Sequence, residues 1–565
     1  MTVPALSDAG AAAPHRPMRQ RHPGLVALVA LACAVVLLPI GALALLAVSG
    51  TGEDWPHLAR NVVPGAALTT IQLIVLTSAG TAIIGVATAW MTVAYDFPFR
   101  RTLSWMLVLP LAVPPYLAAY AFAEFFLFTG PVQTAYRALF GFQTVRDYWF
   151  PDIRSTGGAA FVLALVLYPY VYLTTRVVFL MQGRNIADVA RTLGARPAKV
   201  FFRVLLPVAR PAIVAGVSLV LMETINDIGA SEYLGVRTMT TAIFTTWINR
   251  SSLEGAAQIA MVMLVLVFAL LAAEQWARRR QRFHNPRATQ IRSRPPRIRV
   301  GGVAAIALPA ALLLPVALGF GVPVYVFGRY AWRRIEHVAN AELASALANS
   351  VMTAAITALL TVSLALLLIH AVRLSRSQPV GILVRLASLG YALPGTIIGL
   401  GLLFALAGLD NMVDAFARAN LGFSTGLIIT GSAGAVVIAC TIRFLALAEG
   451  GIKSGLEKLP PHLDEAARSL GRSPTASAAT ILLPLLRPAI WTAAVLVFVD
   501  TMKELSATIL LRPFGFNTLA TLVYEHASRA VVADGALAAL LIILVATVPV
   551  VLLSNALARD QNASL

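Results

Sequence analysis

Long apolar stretches separated by short polar segments set the character of this chain. Twelve are delimited, at about 25–48, 66–94, 103–128, 156–181, 211–234, 256–277, 303–327, 345–372, 382–407, 425–448, 488–511 and 536–557. Roughly 20 apolar residues in a helix cross the hydrocarbon of a bilayer, and each stretch reaches that length. Backbone in lipid must satisfy its own hydrogen bonds, which predicts an all-α, polytopic transmembrane helical bundle of about twelve spans. Polar residues within 211–234 and 488–511 leave the outer ends of those two spans undefined. Arg16, Arg19 and Arg21 precede the first stretch, which is too long for the apolar core of a signal peptide and shows no small-residue cleavage site. An uncleaved first span is expected.

The pattern repeats. LGARPAKVFFRVLLPVARPAI at 193–213 aligns without gaps on LGRSPTASAATILLPLLRPAI at 470–490, with ten of 21 positions identical at an offset of 277. Pro114 corresponds to Pro394 at an offset of 280. This divides the chain into a tail at 1–24, a first six-span half at 25–277, a linker at 278–302, a second six-span half at 303–557 and a tail at 558–565. Six is an even number, so the two copies are expected to run parallel through the membrane, with a pathway between them.

Composition agrees: of 565 residues 58% are hydrophobic and 12% charged, too few charges to cover a water-soluble protein of this size. The formal charge of +18 changes the picture only through its placement. With the N-terminus inside, and span residues assigned to the nearer end, the cytoplasmic segments hold 31 of the 44 Lys and Arg, so both termini are expected in the cytoplasm. Nine arginines and three prolines between Arg278 and Arg299 read as a solvated linker held at anionic lipid headgroups, not as a nucleic-acid site. Cys33 and Cys440 lie in apolar runs and read as small hydrophobes.

The repeated segment falls in two cytoplasmic loops, about 182–210 and 450–487. The first reads Asp188, Val189, Ala190, Arg191, Thr192, Leu193, Gly194, with Pro197 three residues on. The second reads Asp464, Glu465, Ala466, Ala467, Arg468, Ser469, Leu470, Gly471, with Pro474. Each predicts a short helix ended by a left-handed glycine cap and a second helix opened by the proline. Leu206-Pro207 and Leu483-Pro484 follow. These loops resemble the EAA loop of ABC importer permeases; Glu465-Ala466-Ala467 fits that pattern fully, and Asp188-Val189-Ala190 departs from it conservatively. The resemblance implies the type I importer permease fold and helices that dock into a groove on an ATPase, with alanines permitting close approach and Asp188 and Glu465 facing a basic partner. No GxxxxGK[ST] phosphate loop occurs in the chain, so ATP and its Mg would be bound by separate cytoplasmic ATPase subunits, two copies for two loops. No cofactor is expected on this chain, and no HExxH, GxSxG or histidine cluster marks it as an enzyme.

Candidate cargo chemistry lies toward the external ends of spans five and eleven. Glu223 and Asp227 are four residues apart on one helix face, and the offset of 277 carries them onto Asp500 and Glu504. Ionisable groups at membrane depth are costly and typically mark a pathway, and carboxylates suit hard cations. The alternative is a structural network in which Lys503 and nearby arginines neutralise them. No stable metal site is assigned, since transit calls for weak binding. The stretch from Asp500 to Ala520, with Lys503-Glu504-Leu505, Leu511-Arg512-Pro513-Phe514 and Thr518-Leu519-Ala520, resembles ferric-iron importer permeases with two fused halves, although Ser506 stands where that family usually has proline. Tyr233-Leu-Gly235, the run Thr238 to Ile243, and the run Leu109 to Tyr116 are similar as well. The resemblance implies Fe3+ as cargo, a periplasmic iron-binding protein as partner and the bacterial inner membrane as location. Related permeases for thiamine, polyamines, sulfate or phosphonates, and a gradient-driven secondary transporter, are the alternatives. Tyr233, Trp247, Tyr524 and His526 near the outer face read as interfacial anchors, with contact to a docked binding protein or to the cation as the alternative, and Glu124 has no assigned role.

Overall fold

The computed structural model describes residues 23–50, 52–192, 197–279, 297–338, 340–375, 378–460, 463, 467 and 469–562. Ten helices among them are long and apolar enough to cross a membrane, from Pro23–Ser49 to Thr475–Met502. The third expected span is two pieces, Arg100–Ala112 and Pro115–Phe125, bent by 94°. The twelfth is met by the helix Ala536–Asn562, whose apolar part is the shorter Ala536–Val551.

Proline chemistry shapes these helices. Widened turns occur at Leu58–Val62, Phe201–Leu205, Ala317–Gly321 and Ala478–Leu482. Each ends two residues before a proline: Pro64, Pro207, Pro323 and Pro484. A proline in a helix offers no N–H to the carbonyl four residues back, and its ring crowds that carbonyl. The chain responds by bonding one residue further, as where Leu206 N–H donates to Phe201 O and Leu483 N–H to Ala478 O. The turns at 201–205 and 478–482 obey the 277 offset.

Spans five and eleven, whose outer ends the sequence leaves undefined, do not run unbroken to 234 and 511. The helix Leu206–Asn226 stops at Asp227, whose backbone is extended, and a short helix Ile228–Tyr233 follows. The helix Leu483–Met502 stops at Lys503 and resumes as Thr508–Leu511. The ninth span likewise starts only at Gly395, after a turn over Ser388–Ala392 that ends before Pro394. That break matches the one at Pro114 in the first half.

The halves are built alike. Val63–Ala94 packs on Thr156–Thr192 and Leu206–Asn226, just as Ala341–Ser375 packs on Gly434–Glu457 and Leu483–Met502. Thr70 Oγ1 accepts from Met239 N at 2.9 Å, and Ser350 Oγ accepts from Leu519 N at 2.7 Å, equivalent bonds at an offset of 280. The first helix of each half crosses to the other. Pro23–Ser49 lies on Gly395–Leu421, and Val322–Arg333 lies on Pro115–Phe125. Small residues permit these crossings: a Cβ on Gly401 would sit 2.3 Å from Pro39 O, and one on Gly319 would sit 2.3 Å from Leu165 O. Both cysteines are free and buried in this apolar packing.

Candidate functional site

A cavity opens between the halves at the helix breaks. Tyr116, Tyr170, Glu223 and Asp227 line it from the first half, and Tyr391, Arg443, Asp500, Lys503 and Glu504 from the second. Tyr170 is the fifteenth of the 25 residues in Thr156–Leu180, and Arg443 the tenth of the 24 in Gly434–Glu457. The four carboxylates do lie at the ends of the helices that carry them. Because those helices are broken, however, the ends stand level with the middle of neighbouring spans and not at the outer face.

Geometry sorts the carboxylates into two equivalent pairs. Asp227 and Glu504 serve the backbone. Asp227 caps the short helix after the first break by accepting from Ala230 N at 2.6 Å. Glu504 does the same after the second, accepting from Ala507 N and Thr508 N at 2.9 Å each and from Thr508 Oγ1 at 2.6 Å. Arg443 Nη1 adds an ion pair to Glu504 at 2.7 Å, with the two side chains 12% and 1% exposed. A helix restarted inside a membrane has orphan N–H groups, and these two acids satisfy them.

Glu223 and Asp500 instead face the cavity. Asp500 contacts Lys503 Nζ at 2.8 Å, while the Glu223 side chain makes no hydrogen bond or contact ion pair among the described residues. Tyr116 is buried with its hydroxyl unpartnered. The lining thus carries four carboxylates against two cations, a formal excess of two negative charges. Among the described residues no group of three or more His, Cys, Asp or Glu is placed to hold a metal ion.

The two breaks are also stitched together. Asn226 Oδ1 accepts from Gly395 N at 2.6 Å, and Ser506 Oγ donates to Asn226 O at 2.7 Å. A Cβ on Gly229 would lie 2.7 Å from Tyr116 Cβ and 2.9 Å from Leu505 Cδ2, so backbone and side chains meet tightly there. Elsewhere Tyr524 Oη donates to Glu232 at 2.7 Å across the halves, and Tyr330 Oη donates to Glu124 at 2.6 Å. Tyr524 and Glu124 therefore have specific partners. Arg443, Tyr170, Tyr391 and Asn226 were not singled out from the sequence. For Arg443 a signal existed, a lone arginine midway through an apolar stretch; the tyrosines give none beyond their type.

The loops expected to receive an ATPase are partly described. The first does not form a separate helix: Asp188 and Ala190 fall in the last turns of the 37-residue helix Thr156–Thr192, which continues span four without interruption. Gly194, Glu465 and Ala466 lie outside the described residues. Ala467 is buried, and Gly471 takes φ +78° while Arg472 N donates to Ala467 O at 3.1 Å, the geometry of a glycine-closed helix end. Pro197 opens the helix Pro197–Val200, and Pro474 opens Pro474–Ser477.

Residues 81–283 and 368–562 each match the family described as binding-protein-dependent transport system inner membrane component. The chain belongs to that family: it is a multi-pass inner-membrane permease component, with the family's unit present twice. It is 26% identical over 491 residues to the Fe(3+)-transport system permease protein FbpB 2 of Haemophilus influenzae, covering 86% of this chain and 88% of that protein. It is also 30% identical over 199 residues to the sulfate transport system permease protein CysT of Escherichia coli, covering 35% of this chain and 69% of the relative. The molybdenum transport system permease protein ModB of Escherichia coli is 26% identical over 201 residues, 34% of this chain and 84% of the relative.

Proposed function

We propose that this chain is the two-halved permease of an ATP-driven importer that passes ferric iron inward across the bacterial inner membrane. The observation that carries the cargo class is the excess of carboxylates over cations around the central cavity. A dianion such as sulfate meets net repulsion there, whereas a hard trivalent cation meets hard oxygen donors. The likeness to an iron permease along nearly the whole of both chains points the same way. Glu223 and Asp500 are the residues assigned to the passing ion. Asp227 and Glu504 hold the broken helices open around it.

In this reading the chain binds no cofactor and carries out no chemistry of its own. Two copies of a cytoplasmic ATPase, holding ATP and Mg, engage the loops around Asp188–Pro197 and Glu465–Pro474. A periplasmic iron-binding protein delivers the cargo at the opposite face, and both termini lie in the cytoplasm. ATPase closure pulls the two loops together, the halves rock, and the cavity opens alternately outward and inward. The breaks at Asp227 and Lys503 give each half a joint beside the cavity.

The test is uptake by proteoliposomes containing the permease, its ATPase and its binding protein. Radiolabelled ferric iron is expected inside, sulfate and molybdate are not, and Glu223→Gln with Asp500→Asn should lower iron uptake at least tenfold. Uptake of thiamine or a polyamine in place of iron would reassign the cargo.

A further inference from the structure

Where the linker rejoins the bundle, four arginines lie close together beside Asp96. Ile298–Arg299 pairs in parallel with Tyr95–Asp96, and Val300 N donates to Asp96 O at 3.3 Å. This pairing brings Arg297 to the turn that precedes Arg100. The side chain of Arg100 is 11% exposed; its Nε lies 3.5 Å from Asp96 Oδ1, and its Nη1 donates to Thr92 O at 3.2 Å. Arg101, Arg176 and Arg297 all lie close enough to act on Arg100 as like charges, while Asp96 opposes them there.

Arg176 is the anomaly of the group. It sits on the helix Thr156–Thr192, is 9% exposed, and has a sealed Nε with no partner. Its guanidinium carbon stands 5.8 Å from the centre of the Tyr172 ring, whose hydroxyl is already committed to Ser104 O at 2.8 Å. No oxygen among the described residues accepts a hydrogen bond from Arg176. A guanidinium nine-tenths covered, with its Nε sealed and unpaired, is unfavourable, and arginine does not escape by losing its proton; only its Nη atoms remain open to a ligand. Three further guanidiniums nearby make the position worse. For Arg176 no described residue supplies a negative partner, and the position suits something negative brought from outside the polypeptide. A phosphate group fits best, because its oxygens match the planar fork of a guanidinium and it carries charge enough for several arginines.

We propose that Arg100, Arg176 and Arg297 form a binding site for a phosphate group, presented by an anionic lipid headgroup or as free phosphate, at the junction of linker and first half. The site is independent of the cargo reading. Bound anion clamps the linker's end to span four, the helix that leads directly into the first coupling loop.

The experiment follows the thermal unfolding of the full-length chain in a nonionic detergent, with phosphatidylglycerol, phosphatidylcholine or inorganic phosphate added. The wild type is expected to gain a few degrees with phosphatidylglycerol or phosphate and nothing with phosphatidylcholine. A gain from phosphatidylglycerol alone identifies a lipid headgroup, and an equal gain from phosphate identifies the free anion. Arg176→Met, which removes an unpaired buried charge, should melt no lower than wild type without anion and lose the gain. No gain in the wild type, or an undiminished gain in Arg176→Met, overturns the proposal. Should that variant fail to fold, native mass spectrometry of the wild type decides. Phosphatidylglycerol retained at least about threefold over phosphatidylethanolamine, or a retained phosphate adduct, supports the site. Retention of neither overturns it.

Discussion

Glu223 and Glu504 show how one residue type serves two ends. Glu504 is buried, bonded to two backbone N–H groups and paired with Arg443, so its loss leaves a buried cation and two orphan donors. Glu504→Ala should cost about 3–5 kcal/mol and be read as lower yield and melting temperature of the purified permease. Glu223→Gln removes no contact and should leave melting unchanged while iron uptake falls. Equal melting losses in both would erase the distinction. Gly471 makes a third case. Its left-handed backbone disfavours any side chain by about 1–2 kcal/mol, yet a Cβ there meets nothing within 4 Å. Gly471→Arg should therefore fold and insert but fail to couple, measured as ATPase activity no longer stimulated by loaded binding protein. The carboxylates were legible from the sequence as a duplicated pair of pairs. Their division of labour was not, because only the backbone breaks decide which acid caps and which is left free.

At the scale of elements, prolines and glycines explain most of what the apolar pattern leaves out. Hydropathy registers a stretch such as 211–234 as continuous, since a broken helix and an unbroken one have the same composition. The interruption at Asp227 depends on local backbone, and the 94° bend between Ala112 and Pro115 on consecutive prolines at 114 and 115. The spans themselves and the repeat were legible because lipid enforces both length and apolarity. The crossing of each first helix onto the opposite half was hidden, since it rests on contacts far apart in sequence. Gly401→Ala tests that crossing: its Cβ would collide with Pro39 O, so the first helix must shift. A loss of about 1–3 kcal/mol is expected, seen as a lower melting temperature, with cysteine crosslinking between the first helix and Gly395–Leu421 weakened. Unchanged melting and crosslinking would place the helix elsewhere.

For the molecule as a whole, a duplicated family unit surrounds one central cavity, and force must reach it from outside the membrane. The proposed coupling loops connect to it through the helices: span four carries Tyr170 in the cavity wall and ends in the segment that holds Asp188. In the proposed mechanism a displacement of that helix end reaches the pathway through the continuous helical turns between Asp188 and Tyr170, while Pro207 and Pro484 interrupt the hydrogen bonding of the helices that follow. Such a machine stalls without nucleotide whatever ion gradient is present, and a gradient-driven carrier of the same shape does the reverse. The deciding measurement is iron uptake into proteoliposomes holding the permease with its ATPase and binding protein, with ATP and a proton gradient supplied separately. Uptake with ATP alone, lost in a hydrolysis-deficient ATPase, is the predicted result. Uptake driven by the gradient in the absence of ATP would contradict it.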